Sequence, residues 1–170
     1  MITTFQYVMA AIATVLGTVA HATPPEFVDA CYVRAEPPPP ASGNASGPTQ
    51  SHLGLRRKGT QLVEVSVAVV GANGAVCSVA GIAKIQGNPG AQYLSLVIRP
   101  DGGGPSGKVP CQLRIQESPA HLELTTTEPS CQAQSLCEGQ VRLSGQRFEL
   151  AARVPQGTKG PCFASSSAPT

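Results

Sequence analysis

The sequence predicts a mainly β fold, a small antiparallel barrel or sandwich stapled by disulfides. Three observations carry that expectation. Apolar residues recur with period two along most of the chain after residue 60. The runs are short and separated by Gly, Pro and Asn turns. All six cysteines fall after residue 22.

The first 22 residues read as a signal peptide. Tyr7 to Ala20 is apolar apart from Thr14 and Thr18, carries no charge, and ends in the small-x-small site Ala20-His21-Ala22. At roughly 14 residues the run is shorter than the ~20 that a spanning helix needs, and Thr23-Pro24-Pro25 follows without a basic cluster. A periplasmic or secreted location is therefore expected, with no stable membrane insertion after signal removal and a mature chain starting at Thr23. Residues 23–35 are read as an N-terminal head, with Phe27, Val28, Cys31, Tyr32 and Val33 as anchors. Residues 36–59 are read as a Pro/Gly/Ser-rich flexible segment, opened by Glu36-Pro37-Pro38-Pro39-Pro40. Asn44-Ala45-Ser46 within it matches the glycosylation acceptor pattern. The antiparallel β domain is assigned to 60–163 and a disordered tail to 164–170.

Within that domain, Leu62 to Val70 places Val63, Val65, Val67 and Val69 on one face and Glu64 and Ser66 on the other. Gly71-Ala72-Asn73-Gly74 is a hairpin-type turn. Val76 to Gln86 sets Cys77, Val79, Gly81, Ala83 and Ile85 inward. Gly87-Asn88-Pro89-Gly90 is a second turn, and Tyr93 to Arg99 reads as a buried strand. Cys111, Leu113 and Ile115 alternate with Gln112, Arg114 and Gln116, and Leu122 and Leu124 alternate with His121, Glu123 and Thr125. Ser144-Gly145 reads as a two-residue hairpin turn that sets Val141 opposite Phe148 on the core face. The same register places Arg142 and Arg147 opposite each other, facing outward, where like charges repel. Six or seven strands are expected in all.

Aromatic residues are 4% of the chain and Trp is absent, so the core must be aliphatic and disulfides would compensate. The expected pairs are Cys77–Cys111, Cys131–Cys137 and Cys31–Cys162. Cys131 and Cys137 flank a loop short enough for a local staple, and Cys31 and Cys162 lie near the domain's ends. Cys77 and Cys111 both point inward. In a flat meander their strands are second neighbours, roughly 9.5 Å apart, whereas a bridge needs Cα atoms within about 7 Å. That pair requires the sheet to fold over or the strand order to change.

The inventory of reactive groups is poor, and no enzyme is expected. A net charge of +2 is too mild for nucleic acid. The mature part has two histidines, His52 and His121, and His121 is the only credible base. No CxxC pair supports a metal site, and no cofactor is expected. Arg56-Arg57-Lys58 is the densest basic run. It reads as a solvated guard on an edge strand, or as an anchor for an anionic envelope polymer.

The stretch from Cys77 to Phe148 resembles small bacterial periplasmic β-proteins of the lysozyme-inhibitor or immunity type. The resemblance rests on Cys77-Ser-Val-Ala-Gly81-Ile-Ala83, Leu94-Ser-Leu-Val-Ile98, Cys111-Gln-Leu-Arg-Ile115, Leu122-Glu-Leu124 and Cys131-x5-Cys137-Glu-Gly139-x5-Gly145-x2-Phe148. Ser144-Gly145-Gln146-Arg147-Phe148 is similar to the Ser-Gly-x-x-Tyr segment of C-type lysozyme inhibitors, with Phe in place of Tyr. The resemblance implies a protein partner, a cell-wall hydrolase, whose cleft is occluded by a rigid loop. Ser144, Arg142 and Arg147 would make that contact, with Arg114 on a nearby strand in support. Two other readings stand beside it: a structural or polymer-binding protein using Arg56, Arg57 and Lys58, and a hydrolase using His121.

Overall fold

The computed structural model of the protein describes residues 28–37, 50–72, 74–98, 111–126, 137, 141–155 and 162–163. These form nine antiparallel strands: β1 (Ala30–Ala35), β2 (Gln50–Arg57), β3 (Leu62–Val70), β4 (Val76–Gln86), β5 (Tyr93–Ile98), β6 (Cys111–Glu117), β7 (His121–Thr126), β8 (Gln146–Glu149) and β9 (Arg153–Pro155). Strands β1 to β8 follow one another as an up-and-down meander, and β9 pairs with the free side of β1. Strands β8 and β9 are two halves of one stretch broken by a single 3-10 turn, Leu150–Ala152. The first half pairs with β7 and the second with β1, so this one stretch spans both edges and nearly closes a barrel. Closure removes the edges that an open sheet would expose.

The interior is built by strict alternation. Val63, Val65, Val67 and Val69 of β3, Leu94 and Leu96 of β5, Leu113 and Ile115 of β6, and Leu122 and Leu124 of β7 are all buried. Tyr32 and Phe148 are the two largest fully buried side chains. A barrel of about eight strands is just wide enough for side chains to fill its interior, which suits a core of Val, Leu, Ile and Ala. Each fully buried Val, Leu or Ile contributes about 1.5–3 kcal/mol. Gly81 makes room locally: a Cβ there would lie 2.8 Å from Leu96 Cδ1.

The two ends of the barrel differ. At one end the chain turns tightly, through 58–61, 87–92 and 118–120. Here Lys58 N–H donates to Leu62 O, Ala91 N–H to Asn88 O and Ser118 N–H to His121 O. Gly87 holds φ +95°, and any Cβ there would strike the Ala91 carbonyl oxygen, so only glycine fits. At the other end the connections β1–β2, β5–β6 and β7–β8 span 36–49, 99–110 and 127–145, and only 71–75 is a short turn.

Three expectations need correction. Residues 30–35 are not a separate head, because β1 sits between β2 and β9 within the sheet. Nor does the flexible segment reach residue 59: Gln50–Arg57 is strand β2, with Ser51, Leu53 and Leu55 fully buried. The alternation there is weak to the eye because a serine, a histidine and a glycine interrupt it. Gly54 faces outward beneath the C-terminal segment, where a Cβ would meet Phe163 at 2.8 Å and Cys162 at 2.9 Å. The third correction concerns cysteines.

Cys31 is joined to Cys162, the pair named from the sequence, across 131 residues. Cys77, however, is joined to Cys137, with Cα atoms 4.4 Å apart. This replaces both Cys77–Cys111 and Cys131–Cys137. The reason is the strand order: β5 lies between β4 and β6, so Cys77 and Cys111 stay second neighbours, too far apart to bridge. Instead Cys137, in the β7–β8 connection, meets the inner face of β4. Cys111 is also disulfide-bonded, and Cys131 lies outside the described residues. So do the signal peptide, the Asn44 triplet and the tail 164–170.

Candidate functional site

The sequence-named residues Arg142, Ser144 and Arg147 come together at the long-loop end of the barrel. The turn is set by Gly145, at φ +82°, a conformation that favours glycine. Gln146 N–H donates to Leu143 O at 3.3 Å, closing a turn around Ser144-Gly145. Gly145 N–H donates to Leu124 O at 2.8 Å and Thr126 N–H to Ser144 Oγ at 3.4 Å, which dock the turn against β7. Leu143 is buried and Val141 packs against the core, so the turn is anchored from below. Arg142 and Arg147 are exposed and Ser144 is half-buried.

The expected hairpin ladder from 141 to 148 does not form. Strand β8 begins at Gln146 and pairs with β7, with Phe148 opposite Leu122 and Arg147 opposite Glu123. Arg147 therefore does not face Arg142. It pairs with Glu123 at 3.4 Å, with its own side chain 60% exposed. A short apolar-Gly-apolar run can equally be a turn leading into a strand that finds its partner elsewhere. Here β7 offered the longer ladder.

Arg114 lies on the outer face of β6, opposite Thr125 of β7. Its guanidinium stacks 3.6 Å from the centre of the Tyr93 ring, and Tyr93 Oη donates to Gln86 Oε1 at 2.9 Å. It belongs to the same side of the barrel as Glu123 and Arg147 but is engaged with its own aromatic partner.

Sequence reasoning missed the residues that hold this turn. Arg34, at the end of β1, donates from Nη1 to Arg147 O at 2.9 Å and from Nη2 to Gln146 Oε1 at 2.8 Å. Its Nε donates to Glu36 Oε1 at 2.7 Å, and its guanidinium lies 5.3 Å from the centre of the Phe148 ring. Glu36 Oε1 also accepts from Ser51 Oγ. Ser51 Oγ in turn accepts from Val70 N–H at 2.9 Å. Gln146 Nε2 donates to Arg142 O at 2.8 Å. One chain of hydrogen bonds thus runs around the rim from Val70 to Arg142. The alternation Tyr32-x-Arg34-x-Glu36 was a usable signal, since it continues the inward positions of β1 with charged residues.

The basic run Arg56-Arg57-Lys58 is engaged within the protein. Arg56 and Lys58 pair with Glu64 at 3.6 and 3.0 Å, and Arg57 pairs with Asp29 at 3.3 Å. Arg56 also lies 4.2 Å from the centre of the Phe163 ring. His121 stands on the outer face of β7 opposite Glu149. Among the described residues no group of three or more His, Cys, Asp or Glu side chains could hold a metal ion, and no helix is long and apolar enough to cross a membrane. No protein-family model, no curated protein and no solved structure matches the chain.

Proposed function

We propose that this protein is an exported binding protein that inhibits, or confers immunity to, a cell-wall hydrolase by inserting the 142–147 turn into its cleft. One observation carries the reading: a hydrogen-bonded turn with exposed arginines on either side of Ser144-Gly145, docked on β7 at the long-loop end of a disulfide-bonded barrel. Preorganisation of this kind lowers the ordering cost of association. An exposed arginine offers a planar fork that fits a carboxylate, and wall hydrolases that use paired carboxylates present such groups in their clefts. Arg147 would exchange Glu123, a weak partly solvated partner, for a desolvated one.

The test is inhibition of a panel of lysozymes and lytic transglycosylases by the wild type, Arg142→Ala and Arg147→Ala. Removing an arginine that pairs with a buried carboxylate should weaken binding by ~2–5 kcal/mol, while the melting temperature stays nearly unchanged because the Arg147–Glu123 pair is exposed. Unchanged affinity for a proven partner would remove this turn from the interface. Absence of inhibition across the panel would favour a structural or envelope-polymer-binding role. The involvement of Arg56, Arg57 and Lys58 with Glu64 and Asp29 weighs against that role, since an anionic polymer would have to compete with carboxylates already in place. A hydrolase using His121 would lose activity in His121→Ala at unchanged folding.

A further inference from the structure

We propose that Arg34 is the positioning residue of the 142–147 turn, holding it from across the seam of the barrel; its consequence for a partner rests on the inhibitor reading above. Strand β8 pairs with β7 and strand β1 pairs with β9 and β2. No backbone ladder joins β1 to β8 among the described residues. The Arg34 guanidinium spans that gap instead. It donates to the Arg147 carbonyl and the Gln146 side chain on β8, and to Glu36 just past the end of its own strand. Glu36 is tied to Ser51, and Ser51 to the Val70 amide. The fork is therefore braced from β2 and β3, which are among the best-paired strands of the sheet.

The acceptors on the far side set what the device controls. Arg147 O and Gln146 Oε1 belong to the two residues that follow Gly145, and the same Gln146 side chain donates to Arg142 O. Arg34 touches neither partner-facing side chain. It acts on the main chain of Arg147 and, through Gln146, on that of Arg142. A lysine there would keep the charge, but its single ammonium cannot match a fork that reaches two acceptors on β8 and the Glu36 carboxylate beyond β1. The requirement is therefore for the guanidinium plane, not for positive charge.

The experiment is amide hydrogen exchange by NMR on the free, disulfide-intact protein, comparing the wild type with Arg34→Lys and Glu36→Ala. The second variant removes the Glu36 carboxylate that accepts from Arg34 and Ser51, without altering any atom of the turn, and serves if Arg34→Lys does not fold. Either should speed exchange at Gly145, Gln146 and Arg147 by about 10-fold or more, as expected for the loss of one hydrogen bond to a charged group. Exchange at Val65 and Val67 should stay at the wild-type rate. Unchanged exchange at 145–147, or equal acceleration at every amide, would overturn the proposal. Inhibition of a hydrolase that the wild type inhibits is then measured with the same variants, and about a 10-fold weakening is expected. If exchange at the turn changes but the wild type inhibits no hydrolase, Arg34 is confirmed as the brace and the inhibitor reading fails. If the wild type inhibits and both exchange and inhibition are unchanged in Arg34→Lys, the positioning role alone fails.

Discussion

At one end of this barrel the strands are joined by turns whose own backbone groups satisfy each other; at the other, apart from the short turn 71–75, they are joined by connections several times longer, and among the described residues side chains do much of the holding. The tight end relies on glycines at positive φ and on amide-to-carbonyl bonds across 58–62, 88–91 and 118–121. Its ion pairs, Arg57–Asp29 and Lys58–Glu64, sit outside at the surface, where such pairs are worth little. The open end relies on Cys77–Cys137, on the Arg34–Glu36–Ser51 chain, and on the docking of Ser144-Gly145 against β7. Backbone-closed turns leave few polar groups for a partner. An end held by side chains presents arginines and carbonyls whose engagement can be exchanged for a partner's groups, which is why the candidate site lies there.

The two disulfides with both cysteines among the described residues divide along the same line and give the largest expected effects. Cys31–Cys162 fastens the C-terminal segment to the outer face of β1 and β2 near the tight end. It closes a loop of 131 residues, and the chain-entropy model assigns it about 5 kcal/mol. Removing it by Cys31→Ala with Cys162→Ala should lower the denaturant midpoint for the whole barrel in one transition. Cys77→Ala with Cys137→Ala opens a 60-residue loop, for which the same model gives about 4 kcal/mol. Here hydrogen exchange should speed most at the open end, in β7 and the 141–146 turn. Equal acceleration at the amides bonded across 58–62 and 118–121 would show that the two ends do not behave as separate regions.

A smaller effect is expected from Gly54→Val. Its side chain would have to displace the Phe163 ring and the Cys162 Cβ, at a cost of about 1–3 kcal/mol typical of overpacking. The Cys31–Cys162 clip would be strained while the open end is untouched, so inhibition of any partner should be preserved. A loss of binding in this variant would couple the ends in a way the geometry does not provide.

The smallest effects are in pH. Burial lowers the pKa of His52, which stands on β2 near the open end, below the ordinary 6.5. A base with a depressed folded pKa favours the fold while neutral. The contribution is present above the ordinary value and is lost as pH falls through and below it. Burial raises the Tyr32 phenol above 10.0, with Arg153 acting in the opposite sense. Its contribution is present below pH 10 and is lost as pH rises beyond it. Melting temperature against pH should therefore droop on the acid side in a manner flattened by His52→Gln, and on the alkaline side in a manner flattened by Tyr32→Phe. An acid-side profile unaltered by His52→Gln would remove His52 from this account.

Much of the barrel was legible because period-two alternation is a local property. Val63 to Val69, Cys77 with Val79 and Ala83, Leu113 with Ile115, and Leu122 with Leu124 are inward in the sequence pattern and buried in the fold. Strands β1 and β2 escaped notice because their inward positions mix Ala30, Tyr32, Arg34, Ser51, Leu53 and Leu55, and no window of that stretch is apolar enough to stand out from the prolines beside it. Of the site, the turn at Ser144-Gly145 was legible from its glycine. The brace was not, since Arg34 and Gln146 are 112 residues apart.

By itself the sequence determined the class of fold, the inward faces of most strands, and the aliphatic core that an eight-strand-sized barrel can hold. Each of these follows from neighbours along the chain, through side-chain alternation and turn chemistry. Only the tertiary structure decided which strand lies beside which, that Cys77 meets Cys137 with β5 intervening before Cys111, that Arg147 faces Glu123 and not Arg142, and that Arg34 crosses the seam. Those are contacts between residues 24 to 113 positions apart. Alternation says which way a side chain points. What it meets there depends on barrel closure, which brings the first and last strands together and has no signature in any local window.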